Sequence, residues 1–243
     1  MTYNELFTAV KNYLQNDFPT NVWTDVAGTG VTTSNGTEQI NTFITQAEER
    51  IYNSVQIPPL RKNVTGVTSS GNKYLSCPTD FMSVFSMAVI ENSGSATENY
   101  TYLLNKDVNF IRAAYPNSTS TGLPEYYALF GPTVAAGNIT DELSFILGPT
   151  PDAVYNVELH YYAYPESITV AADGRTWLGD NYSPVLLYGT MVEAYIFLKG
   201  EQDMMAVYEG KYKEAVGQLN RLGTGLERGD AYRDGQAKIK VNP

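Results

Sequence analysis

Residues 143–164 read LSFILGPTPDAVYNVELHYYAY, two strand-like runs on either side of a turn. The turn is GPTPDA, because proline and aspartate favour reversals of the chain. Successive side chains of a strand point to opposite faces. In the second run, one face carries Tyr155, Val157, Leu159, Tyr161 and Ala163, and the other carries Asn156, Glu158, His160, Tyr162 and Tyr164. This alternation predicts a sheet with one buried face and one polar, tyrosine-rich face.

The same strand signature extends through the middle of the chain. Between residues 60 and 177, short runs rich in Val, Ile, Tyr and Thr are separated by Gly, Pro, Asn and Ser. The predicted strands are NVTGVT, NKYLSC, FMSVFSMAVI, EYYALFG, LSFILG and AVYNVELHYYAY. One segment differs, since LLNKDVNFIRAAY at residues 103–115 has the character of a short helix. Residues 59–180 are therefore predicted to form a β-rich, sandwich-like region.

Two helices are predicted before this region. Thr2 and Glu5 have the spacing of a capping box, and the apolar residues that follow recur with helical periodicity. Residues 25–36 are rich in glycine and threonine, carry no apolar period and predict a loop. A second periodic run follows the loop and ends before Pro58, because two consecutive prolines cannot continue a helix.

Two further helices are predicted after the β-rich region. Ser183 is placed to cap the first of them, at residues 184–199. That helix is apolar on nearly every side, so we expect it to be buried. The next helix, at residues 202–222, is amphipathic, and Gly223 and Gly225 are expected to end it.

Together these elements predict an α+β fold. Residues 1–58 and 181–228 are expected to form one antiparallel helical bundle, with residues 59–180 inserted between them. The charged residues 48–50 are expected to form a solvated face, because adjacent helix positions point apart. Residues 229–243 contain few core residues and predict an extended tail.

The charge balance argues against a protein that binds nucleic acid tightly. Sixteen Lys and Arg against 26 Asp and Glu give a net charge of -10, the wrong sign for binding phosphates. The single cysteine, Cys77, excludes an intrachain disulfide framework. No apolar run is long enough to span a bilayer, so we expect a soluble protein without a membrane partner.

Little catalytic chemistry is present in the sequence. His160 is the only histidine, which excludes histidine-pair metal motifs and leaves a single possible base for a triad. Glu158 and His160 share a strand face and could form an acid–base pair. However, no serine or cysteine lies in a recognisable nucleophile elbow. We therefore expect no enzyme, no cofactor and no metal site.

A series of landmarks resembles the head-to-tail adaptor proteins of tailed bacteriophages, a group that includes the tail tubular protein A type of short-tailed phages. In chain order they are ERIYNSVQIPPLRK, YLSCPTDF, GLPEYYALFG, LSFILGPTPDAVYNVELHYYAYPE, TWLGDNYSPVLLYGTMVEAYIFLKGE and YEGKYKEAVGQL. The resemblance covers about residues 2–228, and its most specific parts lie at residues 145–162 and 177–195. Neither part is a catalytic motif, so each indicates a fold and an assembly role.

The resemblance implies a homo-oligomeric ring, dodecameric in this family, docked beneath the portal protein of the filled head. The other side of the ring would meet the tail or nozzle, in a virion protein made in the host bacterial cytoplasm. The interface with neighbouring copies or the tail would include Tyr155, Glu158, His160, Tyr162 and Tyr164. Genomic DNA would pass through without specific binding, and the acidic charge agrees with this because carboxylates repel phosphates.

The C-terminal end of the chain is basic. From Arg221 onward, five basic residues and three acidic residues give a net charge of +2. Within the tail, KIKV alternates charged and apolar side chains, the pattern of a strand that can add to an exposed sheet edge. The residues predicted to bind the portal are Tyr232, Lys238, Ile239, Lys240 and Val241.

Two alternative functions stay open at this stage. A carbohydrate-binding β-module of a phage tail or cell surface would account for Trp177 and the tyrosine-rich strands, since aromatic faces suit sugar rings. Such a module would not account for the helical segments at both ends. A tail-associated hydrolase would need a pair of catalytic carboxylates, and the sequence does not indicate one.

Overall fold

A computed structural model describes residues 1–24, 31–55, 57–117, 119–131, 133–135, 138–141 and 143–227. It confirms a mixed α+β fold with both helices and sheets. The chain divides into two compact units. The helical unit combines Met1–Pro59 with Pro165–Pro243, and the β unit is Leu60–Tyr164.

The helices are α1 (Tyr3–Leu14), α2 (Gly36–Ser54), α3 (Val108–Ala114), α4 (Trp177–Asn181), α5 (Ser183–Phe197) and α6 (Gln202–Glu227), with a short 3-10 turn at Pro58–Leu60. The strands are β1 (Asn21–Thr24), β2 (Val31–Ser34), β3 (Arg61–Val67), β4 (Tyr74–Ser76), β5 (Phe81–Glu91), β6 (Asn99–Tyr102), β7 (Leu104–Asn105), β8 (Thr121–Gly122), β9 (Tyr126–Phe130), β10 (Thr133–Ala135), β11 (Asn138–Asp141), β12 (Ser144–Gly148), β13 (Thr150–Pro151) and β14 (Asn156–Ala163).

Capping boxes start both N-terminal helices. The Thr2 side chain accepts a hydrogen bond from the Glu5 backbone N–H at 3.3 Å, and the Glu5 carboxylate accepts from the Thr2 N–H at 2.8 Å. Asn35 and Glu38 form the same arrangement before α2. The prediction of a continuous loop at residues 25–36 is wrong, because β2 pairs with β1 and α2 begins at Gly36. Residues 25–30 lie outside the described part of the chain.

Helix α5 lies at the centre of the helical unit and packs against α1, α2 and α6. The fully buried side chains of the unit include Leu6, Val10, Ile40, Ile44, Ile51, Val185, Leu186, Met191 and Leu219. Burial of each such side chain stabilises the fold by about 1.5–3 kcal/mol. The expectation that α5 is buried on all sides is wrong at its C-terminal end, where Ile196 and Phe197 are 48% and 46% exposed.

The ends of the C-terminal helices also differ from the prediction. Ser183 does not cap α5, because the short helix α4 precedes it directly and Tyr182 takes the N-cap position without a side-chain hydrogen bond. Helix α6 continues past Gly223 and Gly225 to Glu227. Glycine weakens a helix by about 1 kcal/mol but does not forbid it, and Gly223 is buried.

Of the charged residues 48–50, Glu49 and Arg50 are exposed as predicted, but Glu48 is not. Glu48 is only 2% exposed, and its Oε1 accepts a hydrogen bond from the Ile168 N–H at 3.0 Å. Arg50 forms an ion pair with Glu193 at 3.1 Å. The prediction was wrong for Glu48 because it considered only neighbours along one helix, whereas Ile168 comes from a segment far away in sequence.

The β unit is a sandwich of two four-stranded sheets. Sheet I has the strand order β3-β14-β5-β6, and sheet II has the order β4-β12-β9-β7. The core between them contains Phe81, Met87, Val89, Tyr127, Phe145, Leu147, Val157, Leu159 and Tyr161. Helix α3 covers the opposite side of sheet II, where Ile111 packs with Ala128 and Ile146.

The opening stretch at residues 143–164 joins the two sheets. Strand β12 pairs with β4 and β9 in sheet II, while β14 pairs with β3 and β5 in sheet I. The two runs are therefore strands as predicted, but they do not form a hairpin. The turn therefore carries the chain from sheet II to sheet I. The apolar sides of both strands face the same core between the sheets.

Six strands were predicted in this unit, and each is present within a few residues of its expected position. The short helix is present only at Val108–Ala114, because Leu104–Asn105 pairs with β9 and Asp107 caps the helix. Strand β6 was not predicted, although NYTY at residues 99–102 has the alternation of a strand.

Candidate assembly interface

The side of sheet I that faces away from the sandwich core carries polar and aromatic side chains, and we call it the outer face of sheet I. Strand β14 determines its position, since Val157, Leu159 and Tyr161 enter the core and the residues between them point outward. Cross-strand register then brings neighbouring residues to this face. They are Arg61 and Asn63 from β3, Phe85 from β5, Glu158, His160 and Tyr162 from β14, and Tyr100 and Tyr102 from β6.

Arg61, Phe85 and Tyr162 form a stacked cluster on this face. The Arg61 guanidinium carbon lies 4.1 Å from the centre of the Phe85 ring and 5.1 Å from that of Tyr162. Arg61 Nη2 also donates to the Tyr162 hydroxyl at 2.7 Å. Tyr162 is 8% exposed and Phe85 is 54% exposed. A partner that docks here would therefore meet Phe85 and Arg61, while Tyr162 supports them from below.

Phe85 projects where the strand pairing is irregular. His160 lies opposite Ser86, whereas Tyr161 lies opposite Val84, so β5 has one extra residue at this point. Such a β-bulge redirects a side chain away from the regular ladder. The bulge explains why Phe85 joins the outer face, and simple alternation along β5 would not have located it.

Glu158, His160 and Asn63 form a second cluster. Asn63 Nδ2 donates to Glu158 Oε1 at 2.8 Å, and His160 Nε2 lies 3.4 Å from the same oxygen. The predicted acid–base pair is therefore close in space. It lies on an open sheet face, and both side chains are partly exposed. Among the described residues, no group of three or more His, Cys, Asp and Glu is placed to hold a metal ion.

Tyr155 does not belong to the outer face. It packs against the sandwich core, and its hydroxyl donates to Asp152 Oδ1 at 2.6 Å. This hydrogen bond raises the pKa of Tyr155 to about 12. Tyr164 follows the end of β14, is partly exposed, and donates its backbone N–H to the Asp80 carbonyl at 2.8 Å. Glu158, His160 and Tyr162 are thus the members of the predicted interface that lie together.

Tyr100 and Tyr102 were missed by the sequence reasoning because β6 was not predicted. Both side chains are exposed on the outer face. A hydrogen bond with Glu98, together with the negative charge of that carboxylate, raises the pKa of Tyr100. Tyr100 is therefore a neutral hydroxyl group near neutral pH. Both tyrosines extend the aromatic surface to the edge of sheet I.

The residues predicted to bind the portal belong to the C-terminal tail. Tyr232, Lys238, Ile239, Lys240 and Val241 lie outside the described residues. Among the helices that the structure describes, none combines the length and apolar character required for crossing a bilayer.

A mixed α+β protein with exposed aromatic and charged side chains on an open sheet face has the features of a structural assembly protein. Tyrosine and arginine are enriched at the centre of protein interfaces, which agrees with this class. The chain belongs to the SU10 adaptor protein family, whose model matches residues 1–237. The predicted identity as a phage head-to-tail adaptor is confirmed at the level of the family. A comparison with curated proteins found no match.

Proposed function

We propose that the protein forms a ring beneath the phage portal, joins the head to the tail or nozzle, and lines the channel through which DNA leaves. The observation that carries this proposal is the adaptor family match over residues 1–237, which includes both compact units. The ring is proposed to be a dodecamer, as the resemblance to head-to-tail adaptors implies. The protein would then be a virion component of the head–tail junction, made in the host cytoplasm.

The outer face of sheet I is proposed to contact a neighbouring copy or the next tail ring. Phe85, Tyr100 and Tyr102 are exposed there, and Arg61 lies against Phe85. Removing large aromatic side chains and an adjacent guanidinium from water stabilises a complex with a partner. We propose a binding role for Glu158 and His160 as well, and no catalytic role, cofactor or metal.

The C-terminal tail is proposed to anchor the protein to the portal through Tyr232, Lys238, Ile239, Lys240 and Val241. The charge supports this role, since residues 229–243 carry three basic and two acidic residues, a net charge of +1 on a chain of net charge -10. The remaining acidic charge supports a conduit through which DNA slides, because carboxylates that face the bore repel phosphates and prevent retention.

Negative-stain microscopy of purified protein mixed with portal-bearing heads of the same phage tests this function. We expect extra ring-shaped density at the portal vertex, and none on heads assembled without portal. An oligosaccharide array tests the carbohydrate-binding alternative in parallel. Portal vertices that stay bare at saturating protein concentration would contradict the proposed function, and specific glycan binding together with bare portals would favour the alternative.

A further inference from the structure

Sheet II and helix α3 expose three aromatic rings, each of which has a cation against its face. The pairs are Lys73–Tyr74, Lys106–Phe110 and Arg112–Phe130, with the cation 5.5, 5.3 and 5.5 Å from the ring centre. We call these six residues the cationic aromatic surface. This surface lies on sheet II and α3, whereas the outer face described above belongs to sheet I. None of its six residues was among the predicted interface residues.

The strand register places these rings on one side of sheet II. Tyr74 lies directly opposite Ile146, and such pairs project to the same side of a sheet. Ile146 packs under Ile111 of α3, so Tyr74 faces the side that α3 covers. Ala128 packs there too, and Phe130 is two residues further along the same strand. Tyr74 and Phe130 therefore lie on the side of sheet II that carries α3, and Phe110 is on α3 itself.

The three cations form no ion pair within the described residues. The nearby Asp107 is occupied in the N-cap of α3, where its Oδ1 accepts the Asn109 N–H at 2.7 Å. Phe110 and Phe130 are large exposed apolar side chains. On a chain of net charge -10, unpaired cations on exposed rings fit a partner surface that combines carboxylates with apolar side chains.

A surface of that kind lies on the chain itself, where α5 turns into α6. Its large apolar side chains are exposed, namely Ile196, Phe197, Met204 and Val207. Glu201 and Asp203 lie between them, are exposed, and form no ion pair within the described residues. Lys199 is the cation of this region. We call residues 196–207 the α5–α6 corner.

We propose that the cationic aromatic surface of one copy docks on the α5–α6 corner of the next copy. This inference rests on the proposed ring and assigns the two surfaces that close it. Neighbours in a ring meet by a heterologous contact, which requires two different and complementary surfaces on every chain. Both surfaces are exposed on the single chain, and their apolar groups and unpaired charges complement each other.

Cysteine cross-linking in assembled particles tests the contact directly. The variant carries Phe110→Cys and Met204→Cys in a Cys77→Ser background, which removes the only natural cysteine. Treatment of portal-bound protein with a mild thiol oxidant is expected to give a ladder of covalently linked oligomers. The matched control moves the first cysteine to an exposed position outside every proposed contact surface, as Val154→Cys with Met204→Cys, and is expected to give no ladder.

Charge reversal provides the second measurement. Arg112→Glu is expected to lower occupancy of portal-bearing heads about tenfold at subsaturating protein, because like charges then face each other across the contact. Adding Asp203→Arg is expected to restore occupancy. Both residues are exposed, so the melting temperature of the free protein should not change.

The outcomes separate this inference from the proposed function. Suppose that the unmodified protein forms rings on heads, the cross-linking variant gives no ladder and Arg112→Glu binds fully. The assigned contact is then wrong, while the proposed ring is supported. If the unmodified protein forms no ring, the proposed function itself fails.

Discussion

The carboxyl group of Glu48 is buried without a countercharge. Its Oε1 accepts the Ile168 N–H, and its Oε2 has no hydrogen-bond partner among the described residues. Burial raises the pKa of Glu48 above its ordinary value of 4.5. Water solvates the ionised form far better than a protein interior does, so the folded helical unit favours the neutral acid.

This raised pKa predicts a specific pH dependence for Glu48→Gln. Above pH 4.5 the carboxyl ionises in the unfolded chain but stays protonated in the folded chain, so the free energy of unfolding falls as pH rises. The fall stops once pH passes the folded-state pKa. The variant lacks this loss, so it should gain stability relative to the unmodified protein as pH rises, by about 1.4 kcal/mol per unit of pKa shift.

Urea unfolding across pH 4–8 measures this difference for Glu48→Gln. Glu49→Gln is the matched control, because it makes the same substitution at the exposed neighbouring position of the same helix. Identical pH profiles for the Glu48 variant and the unmodified protein would show that the buried acid is not coupled to folding.

Single residues were predictable where strand alternation alone decides exposure. The alternation of β14 correctly separated Val157 and Leu159 from Glu158 and His160. It could not locate Phe85, whose direction depends on a bulge, nor the burial of Glu48, whose partner Ile168 is 120 positions away. Such features depend on the tertiary neighbours, and a single element does not contain them.

At the scale of elements, helix α5 is the structural centre of the helical unit. Leu186 is fully buried, and the helix packs against α1, α2 and α6. Leu186→Asp should therefore cost several kcal/mol, because an unpaired charge replaces a buried apolar group. A loss of this size is a large part of the stability of about 5–15 kcal/mol that is typical of a domain.

Thermal melting followed by circular dichroism at 222 nm checks the Leu186 prediction. Ile196→Asp supplies the control, since Ile196 lies on the same helix but is largely exposed, and its melting temperature should change little. Leu187 is only partly buried, so Leu187→Asp should give an intermediate loss. Equal melting temperatures for Leu186→Asp and Ile196→Asp would show that α5 is not the centre of the core.

Element types were largely predictable, whereas their pairing was not. The two strands within residues 143–164 were located from their pattern, but β12 and β14 belong to different sheets. A turn rich in proline is compatible with a hairpin or with a crossing between sheets, and both give each strand one apolar side. The choice depends on which other strands compete for the edges, and this information lies elsewhere in the chain.

At the scale of the whole molecule, we expect the isolated protein to be monomeric or weakly associated. A chain of net charge -10 repels its own copies, and a portal template would offset the orientational cost of assembly. Static light scattering at low salt should give the mass of one chain, and the apparent mass should rise with added salt as repulsion is screened. A stable large ring without portal would contradict this expectation.

The C-terminal tail provides the second prediction at this scale. A chain truncated after Gly229 lacks the alternating segment KIKV but retains every described residue. We expect it to keep the melting temperature of the full chain, because the described core lies wholly before the cut. We also expect it to lose attachment to portal-bearing heads, because the tail is proposed to supply backbone hydrogen bonds and two apolar anchors to a sheet edge of the portal.

Binding of the truncated chain to portal-bearing heads is measured by co-sedimentation, with the full-length variant Ile239→Asp and Val241→Asp as the matched comparison. This variant keeps the length of the tail and removes only its apolar side chains, so equal loss in both proteins would assign the attachment to Ile239 and Val241. Loss in the truncated chain alone would assign it to the tail backbone and its basic residues. If the truncated chain instead occupies portal vertices as fully as the intact protein, the tail is not the anchor, and the portal must be bound by the folded units.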